Sequence, residues 1–381
     1  MRPLRIAMLT HSTNPRGGVV HAMHLSEALT ALGHEVVLHA PDAKGNGFFR
    51  KAQCEVRAFP VSAPSLGMTE LVKQRIADYV SFFQSSDTRR FDLFHAHDGI
   101  SGNGLATLKD LGTIDAFART VHHIDQFADP HLNELQERSI QEADAFFTVS
   151  EMWKRDIRKT RGINATVVGN GVNAARFSNV PPLDLEKRYG ISGGPVFLSV
   201  GGVEQRKNTI RVIESFRQVL MAWPTAQLII AGGASILDHT GYQDEFEAAL
   251  SKLREHKAAV HIIGPLPDDE MPGLYAAADT LVFPSIKEGF GLVILEAMAS
   301  GIPAVVSSIE PFTEFLGADD VLWCDPFHAG SIAEAMCVSL TPAVRKAVVA
   351  RGYAVAARHT WERTAKAHLP TYSALMEHAH A

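Results

Sequence analysis

Cysteine is scarce in this chain. Cys54, Cys324 and Cys337 are spread through 381 positions, too few, odd in number and too far apart for a disulfide framework or a cysteine-based zinc site. A reducing, cytoplasmic setting is the expectation that follows. Long apolar runs are lacking as well. The opening MRPLRIAMLTHS carries two arginines, but the apolar stretch from Ile6 to Leu9 is far shorter than a signal-peptide core. No segment reaches the roughly eighteen uninterrupted apolar residues of a membrane span, so a soluble protein with at most peripheral membrane contact is expected. Charge is balanced: 36 Lys and Arg stand against 42 Asp and Glu, for a net charge of -6. The basic residues form no stripe of the kind a nucleic-acid footprint requires, which leaves a small molecule as the expected partner. Low-complexity tracts and repeats of solenoid period are missing too, and the remaining class is a globular one.

What is present is a series of short β-branched or aromatic runs, each ending in a polar residue or glycine. LRIAMLTH is followed by STNPRGG, after which Leu25, Ala28, Leu29 and Leu32 recur at helical spacing until Gly33 stops them. HEVVLHAP supplies a second strand, so the opening reads as a βαβ unit. FDLFHAHDG, FARTVHH, AFFTVSE and ATVVGNG continue the pattern. Their polar ends fall where open parallel sheets bind ligands, beyond the carboxyl ends of the strands. Around residues 174 to 195 the text turns rich in Pro, Gly and charge, and a second α/β series begins with PVFLSVGG. Two tandem doubly wound parallel-sheet domains follow, which suits a length beyond one ordinary core. The domains are placed at 1–175 and 176–360, with a helical tail over 361–381 packing back toward their junction.

The stretch SIKEGFGLVILEAMASGIP carries the strongest chemical signal. TLVFPS before it reads as a strand, IKEGFG as a loop, and LVILEAMAS as a helix ended by Gly301 and Pro303. Gly289 and Gly291 keep Glu288 out of the helix, whereas Glu296 lies inside it, roughly 7.5 Å from its start at 1.5 Å per residue. A glycine loop entering a helix presents unpaired N–H groups and the positive dipole end, which suits a phosphate. The distance matches the reach from a diphosphate to a ribose. The order is therefore Glu288 to a sugar, helix N-terminus to a diphosphate, and Glu296 to ribose hydroxyls. A bland reading stands beside it, with a solvent-facing loop acid and a helix acid paired to a surface Lys; the apolar setting of Glu296 speaks against it. In VGGVEQRKN, Arg206 and Lys207 precede a helix, where two cations could clamp a diphosphate and stabilise it as a leaving group. A solvated first turn is the ordinary alternative, but basic residues there oppose the helix dipole. No D-x-D pair is present to hold a divalent ion on a diphosphate, so neither metal nor cofactor is expected.

The histidines admit another reading. HAHD places His95 and His97 on one strand face, and HHID adds His122, His123 and Asp125, a set from which a metal-dependent hydrolase could be built. It leaves the entire second domain without a role. His21, His24 and Glu27 read as the polar face of the first helix. A nicotinamide enzyme is disfavoured, because G-x-G-x-x-G is missing from the first βα turn and no acid ends the second strand, read as closing with LHAP.

EGFGLVILEAMASGIPAVVS resembles the E-x7-E signature of the retaining family 4 glycosyltransferases of the GT-B fold, also described as glycosyl transferases group 1, and VGGVEQRKN resembles that family's diphosphate-binding loop. NPRGGVVHAMHLSEALTALGHEVVLHAP, VGNGVN and TWERTAKAHLPTYSAL extend the likeness over nearly the whole chain. The resemblance implies two Rossmann-like domains facing across a cleft. It also implies a metal-independent hexosyltransferase that moves a sugar from a UDP-, GDP- or ADP-sugar to a hydroxyl acceptor, whether small molecule, glycan or lipid, with retention of anomeric configuration. By that likeness Glu288 contacts the donor sugar, Glu296 the ribose, and Arg206 and Lys207 the diphosphate, with Glu288, Lys207 and His122 the catalytic residues. Gly289, Phe290, Gly291, Leu292 and Val293 would surround the donor, and Ile263 and Gly264 would line the base pocket. Gly17 and Gly18 would form a loop closing over the cleft, and His122 in TVHH matches the family's T-x-H position beside the transferred sugar. The acceptor would lie near Gly17, Gly18, His97 and His122. One departure concerns Gly202, where many members carry Arg, so Arg206 either replaces that cation or points away. A non-catalytic nucleotide-sugar-binding protein is the alternative, since every donor contact would survive loss of turnover.

Overall fold

The computed structural model describes residues 2–61, 67–85, 90–233 and 240–379. Two compact units divide the chain: one runs to Asn170 and resumes at Trp361, and the other is Gly171–Thr360. Among the described residues of the first unit, seven strands form one parallel sheet. They are β1 (Arg5–Leu9), β2 (Glu35–Asp42), β3 (Glu55–Pro60), β4 (Leu93–Ala96), β5 (Ala118–Val121), β6 (Ala145–Thr148) and β7 (Thr166–Val167), in the order β3-β2-β1-β4-β5-β6-β7. β1 shows why these strands read as unbroken apolar runs. Ile6 and Met8 point into a cluster with Leu25, Leu29, Phe147 and Tyr372, while Ala7 and Leu9 pack on the other face with Tyr79, Phe83 and Leu105. Side chains alternate across a strand, so a sheet covered on both faces needs apolar residues at every position. Each large side chain buried this way contributes roughly 1.5 to 3 kcal/mol.

Helix Gly17–Ala31 and the last helix, Trp361–Ala379, pack together on the first of those faces. Their contact corrects the reading of the first helix. His21 is fully buried, its Nδ1 2.5 Å from Asn170 Oδ1 and its ring edge-on to Trp361 at 5.4 Å. His24 stacks on Trp361 at 5.0 Å, and Glu27 is taken by Arg50 at 2.6 Å. The supposed polar face is covered by chain remote in sequence. β2 also runs further than expected and does end in an acid, Asp42. That carboxylate accepts from the backbone N–H groups of Lys44, Gly45 and Gly47, so it stabilises a turn and its oxygens are already engaged.

The second unit repeats the design with β8 (Val196–Val200), β9 (Gln227–Ala231), β10 (Val260–Gly264), β11 (Thr280–Phe283), β12 (Ala304–Ser307) and β13 (Leu322–Cys324), in the order β10-β9-β8-β11-β12-β13. Helices Thr209–Ala222 and Ala329–Ser339 cover one face through Phe197, Phe216, Leu228, Val282 and Ile332. All strand pairs in both sheets are parallel. The order reverses between β1 and β4 in one sheet and between β8 and β11 in the other, and loops diverging at such a reversal open a crevice. Among the described residues no helix is long and apolar enough to cross a membrane.

Candidate functional site

At the reversal of the second sheet the chain leaves β8 through Gly201 and Gly202, both at positive φ (+130° and +76°). A Cβ on Gly201 would lie 2.6 Å from Lys207 Cε, so glycine here gives the lysine its channel. A Cβ on Gly202 would lie 2.6 Å from the carbonyl oxygen of Gly233, and one on Gly232 would lie 2.6 Å from Gly202 N. The backbones after β8 and β9 touch, which accounts for the missing arginine at 202: there is no room for its Cβ. The turn Gln205–Lys207 follows, and Asn208, left-handed at φ 61°, starts the next helix. Its amide donates to Pro284 O at 3.1 Å and Pro326 O at 2.6 Å, fastening this turn to the loops after β11 and β13.

The turn carries the charges. Lys207 Nζ donates to Glu288 Oε1 at 2.6 Å, and Arg206 Nη1 to the same oxygen at 3.0 Å. Arg206 Nε also meets Glu204 Oε2 at 2.8 Å. Arg206 is thus neither turned away nor free, but held between two carboxylates. The Lys207 and Glu288 side chains are each 10% exposed and that of Arg206 43%. Lys207 Nζ sits 4.5 Å over the Phe283 ring, a further cation contact. Burial opposes ionisation of Glu288, but Lys207 and Arg206 outweigh it and hold the carboxyl below its ordinary range. Burial lowers Lys207 in turn, with Glu288 working against the shift. The result is an ionised triad of two cations on one carboxylate, with Lys207 and Glu288 nearly dry and Arg206 open to solvent.

Residues Gly289 and Phe290 lead from this triad into helix Leu292–Ala299. Its N-cap Gly291 has φ 104°, and a Cβ there would meet Phe312 Cε1 at 2.8 Å. Among the described residues no side chain caps the helix, so the N–H groups of its first turn, at Leu292 and Val293, keep their anion-binding character. Phe290 stacks on Phe315 at 4.3 Å and fixes the loop. Glu296, one turn on, accepts from the Tyr275 hydroxyl at 2.7 Å. Burial raises its pKa, with Tyr275 and Arg176 pushing the other way. A cavity of about 430 Å³ opens beside the ends of β9 and β10, walled by Val203, Gly232, Gly233, Ile262, Gly264 and Pro265. Of the two residues expected at a base pocket, Gly264 is in the wall of this cavity and Ile263 is not; its neighbour Ile262 is.

In the first unit, Gly17 and Gly18 are not a loop. They are the first two residues of helix Gly17–Ala31, after an extended Arg16. A Cβ on Gly18 would stand 3.4 Å from His122 Cδ2, so the helix starts in contact with the end of β5. His122 Nε2 is 3.2 Å from His97 Nδ1, and His97 Nε2 is 2.8 Å from Met8 Sδ. His95 is engaged by Tyr372 at 2.6 Å and Thr120 at 2.8 Å. Burial drives His95, His97 and His122 well below their ordinary pKa, aided by neighbouring histidines, His21 among them in each case, so they are neutral at pH 7. His123 instead pairs with Asp125 at 3.0 Å. Among the described residues no group of three or more His, Cys, Asp or Glu can hold a metal ion. The imidazoles of the hydrolase reading bond instead to one another, to Met8 Sδ and to the hydroxyl groups of Tyr372 and Thr120.

Three site residues escaped the sequence reading. Glu204 stands in VGGVEQRKN beside the two cations, and its pairing with Arg206 leaves no local signature. Asn208 had a readable signal, an Asn directly before a helix, where left-handed backbone is tolerated. Tyr275 had none, since its partner lies 21 positions away and on a different helix.

Known proteins resemble the chain in sequence and in fold. Residues 15–176 match the family described as Glycosyltransferase Family 4, and residues 184–340 match Glycosyl transferases group 1. The chain is 27% identical over 271 residues to the O-antigen chain mannosyltransferase B of Escherichia coli, covering 67% of this chain and 70% of the relative. It is 24% identical over 365 residues to the phosphatidyl-myo-inositol mannosyltransferase of Propionibacterium freudenreichii, covering 91% and 88%. Among solved structures, HepE of Anabaena in complex with UDP and glucose superposes with a TM-score of 0.78 at 17% identity, over 98% of this chain and 100% of that one. Sucrose-phosphate synthase from Thermosynechococcus elongatus gives 0.78 at 20% identity over the same shares. These likenesses identify the fold as GT-B.

Proposed function

Because the chain belongs to the group 1 glycosyltransferases of family 4, we propose that it moves a hexosyl group from a nucleoside diphosphate sugar to a hydroxyl acceptor with retention of anomeric configuration, in the cytoplasm and without a metal. The observation that carries this reading is the triad of Lys207, Arg206 and Glu288 beside an uncapped helix start at the reversal of the second sheet. Two relatives are mannosyltransferases by name, and HepE was solved with UDP and glucose, which supports an activated hexose as donor.

The diphosphate lies on the N–H groups at Gly291, Leu292 and Val293 and draws Lys207 and Arg206 from Glu288. Those cations stabilise it as it departs with the electrons of the C1–O bond. The acceptor oxygen bonds to C1 on the face the diphosphate leaves, and the hydroxyl proton passes to a departing phosphate oxygen. Glu288, released from its cations, faces the sugar as positive charge develops at C1. Glu296 accepts from the ribose hydroxyls, and the base enters the cavity at Gly264. His122 and His97, both neutral, serve as hydrogen-bonding groups on the acceptor side near Gly17 and Gly18.

Incubation with UDP-, GDP- and ADP-hexoses and a panel of hydroxyl acceptors, with the product anomer read by NMR, tests the reading. An α-linked product from an α-linked donor is expected. An inverted product removes the retaining assignment, and tight nucleotide-sugar binding with no product from any acceptor would leave a binding protein instead.

A further inference from the structure

We infer that Tyr275 is a positioning residue for the ribose contact, setting the orientation of Glu296 before the donor arrives. The inference rests on the reading of Glu296 given above. Tyr275 lies in helix Met271–Ala276, fully buried, with Phe177 edge-on at 5.8 Å. A buried tyrosine hydroxyl needs a partner, and a backbone carbonyl would serve the fold equally well. Here it donates instead to Glu296 Oε2 at 2.7 Å, the sole carboxylate on the helix Leu292–Ala299. The bond fixes one oxygen and leaves Oε1 to accept from a ribose hydroxyl, so the rotamer is set before binding and little ordering remains to oppose affinity.

The electrostatics support the geometry. Burial favours the protonated form of Glu296, and the tyrosine hydroxyl and Arg176 favour the ionised form that accepts from ribose. Asp268 opposes them, though it is itself bound to Arg176 at 2.7 Å. Losing the hydroxyl therefore both frees the rotamer and moves Glu296 toward protonation.

The test uses the full chain, the Tyr275→Phe, Glu296→Gln and double variants, and whichever of UDP, GDP or ADP the parent binds, with its 2′,3′-dideoxy counterpart. Calorimetric titration from about pH 5 to pH 8 reads affinity, and melting temperature reads folding. Tyr275→Phe is expected to weaken the ribonucleotide roughly five- to tenfold and leave the dideoxy ligand unchanged. The pH below which binding falls should move upward. The double variant should lose no more than Glu296→Gln alone, since one residue acts through the other. If Tyr275→Phe keeps the full ribo-over-dideoxy preference while Glu296→Gln loses it, the inference is overturned and the ribose reading stands. If Glu296→Gln keeps that preference as well, the ribose reading itself falls. A phenylalanine variant too unstable to titrate would assign the hydroxyl to the fold and also overturn the inference.

Discussion

Replacing Glu288 with Gln probes the charged triad directly. The amide keeps the shape of the side chain and removes the charge that Lys207 meets at 2.6 Å and Arg206 at 3.0 Å. With the Lys207 side chain only 10% exposed, water replaces the carboxylate poorly, and the loss is that of a charge-assisted hydrogen bond, about 1.5 to 3 kcal/mol. At the roughly 2 to 4 °C per kcal/mol of a domain this size, melting should drop by about 3 to 12 °C. The pH dependence has a definite sign. The Glu288 carboxyl is held below its ordinary 4.5, so its contribution is complete above that value and is lost as pH falls through the depressed folded-state value. The gap between parent and variant should close in acid. Nucleoside diphosphate affinity should hold or rise, because Lys207 and Arg206 no longer have a carboxylate competing with the ligand, while turnover should fall at least about tenfold as the charge facing the sugar disappears. Calorimetric melting at neutral and acid pH, titration with nucleoside diphosphate and initial rates together decide the matter. Unchanged melting, or a binding loss as large as that of Glu296→Ala, would refute the reasoning.

Further outcomes concern Glu296, Lys207 and the buried histidines. Glu296→Ala should weaken nucleoside diphosphate binding by about 1.5 to 3 kcal/mol, measured by titration, and parent binding should begin to fail in acid at a pH above the ordinary glutamate value, because its pKa is raised. Lys207→Ala should reduce both affinity and turnover, and parent activity should survive EDTA; loss on chelation reversed by manganese would count against the proposed source of positive charge. His21, His39 and His368 are held by burial at about 4, 3 and 3, below their ordinary 6.5. The unfolded chain protonates first, so stability is complete above pH 6.5 and falls below it, by roughly 1.4 kcal/mol per histidine per pH unit; melting curves unchanged from pH 7 to pH 4.5 would contradict this.

Strands such as β1 and β11 were legible because a sheet covered on both faces writes itself as an unbroken apolar run. The helix start at Leu292 was legible because glycine on its N-terminal side has few other uses. Pairings between distant positions were not. Glu288 and Lys207 stand 81 residues apart, and nothing local tells that the acid read as facing a sugar is first bound by the cations read as facing a diphosphate. His21 was misplaced for a related reason. Helical periodicity says which residues share a face, but not that Trp361 and its helix cover it. Gly17 and Gly18 illustrate a third limit, since two adjacent glycines suggest a loop, whereas the chain begins a helix with them and sets Gly18 against His122.

The contact between the backbones after β8 and β9 makes positions 202 and 232 interdependent in evolution. With Gly233 O only 2.6 Å from the place of a Cβ on Gly202, and Gly202 N as near to one on Gly232, neither site can accept a side chain while the other loop stays where it is. Substitution at 202 is conditional on prior movement of the segment at 232 and 233. A saturation library at 202 alone should therefore return glycine almost exclusively. An arginine would become selectable there only in a background where the opposing loop has already drawn back, so the order in which such changes arise decides which of them a lineage can keep.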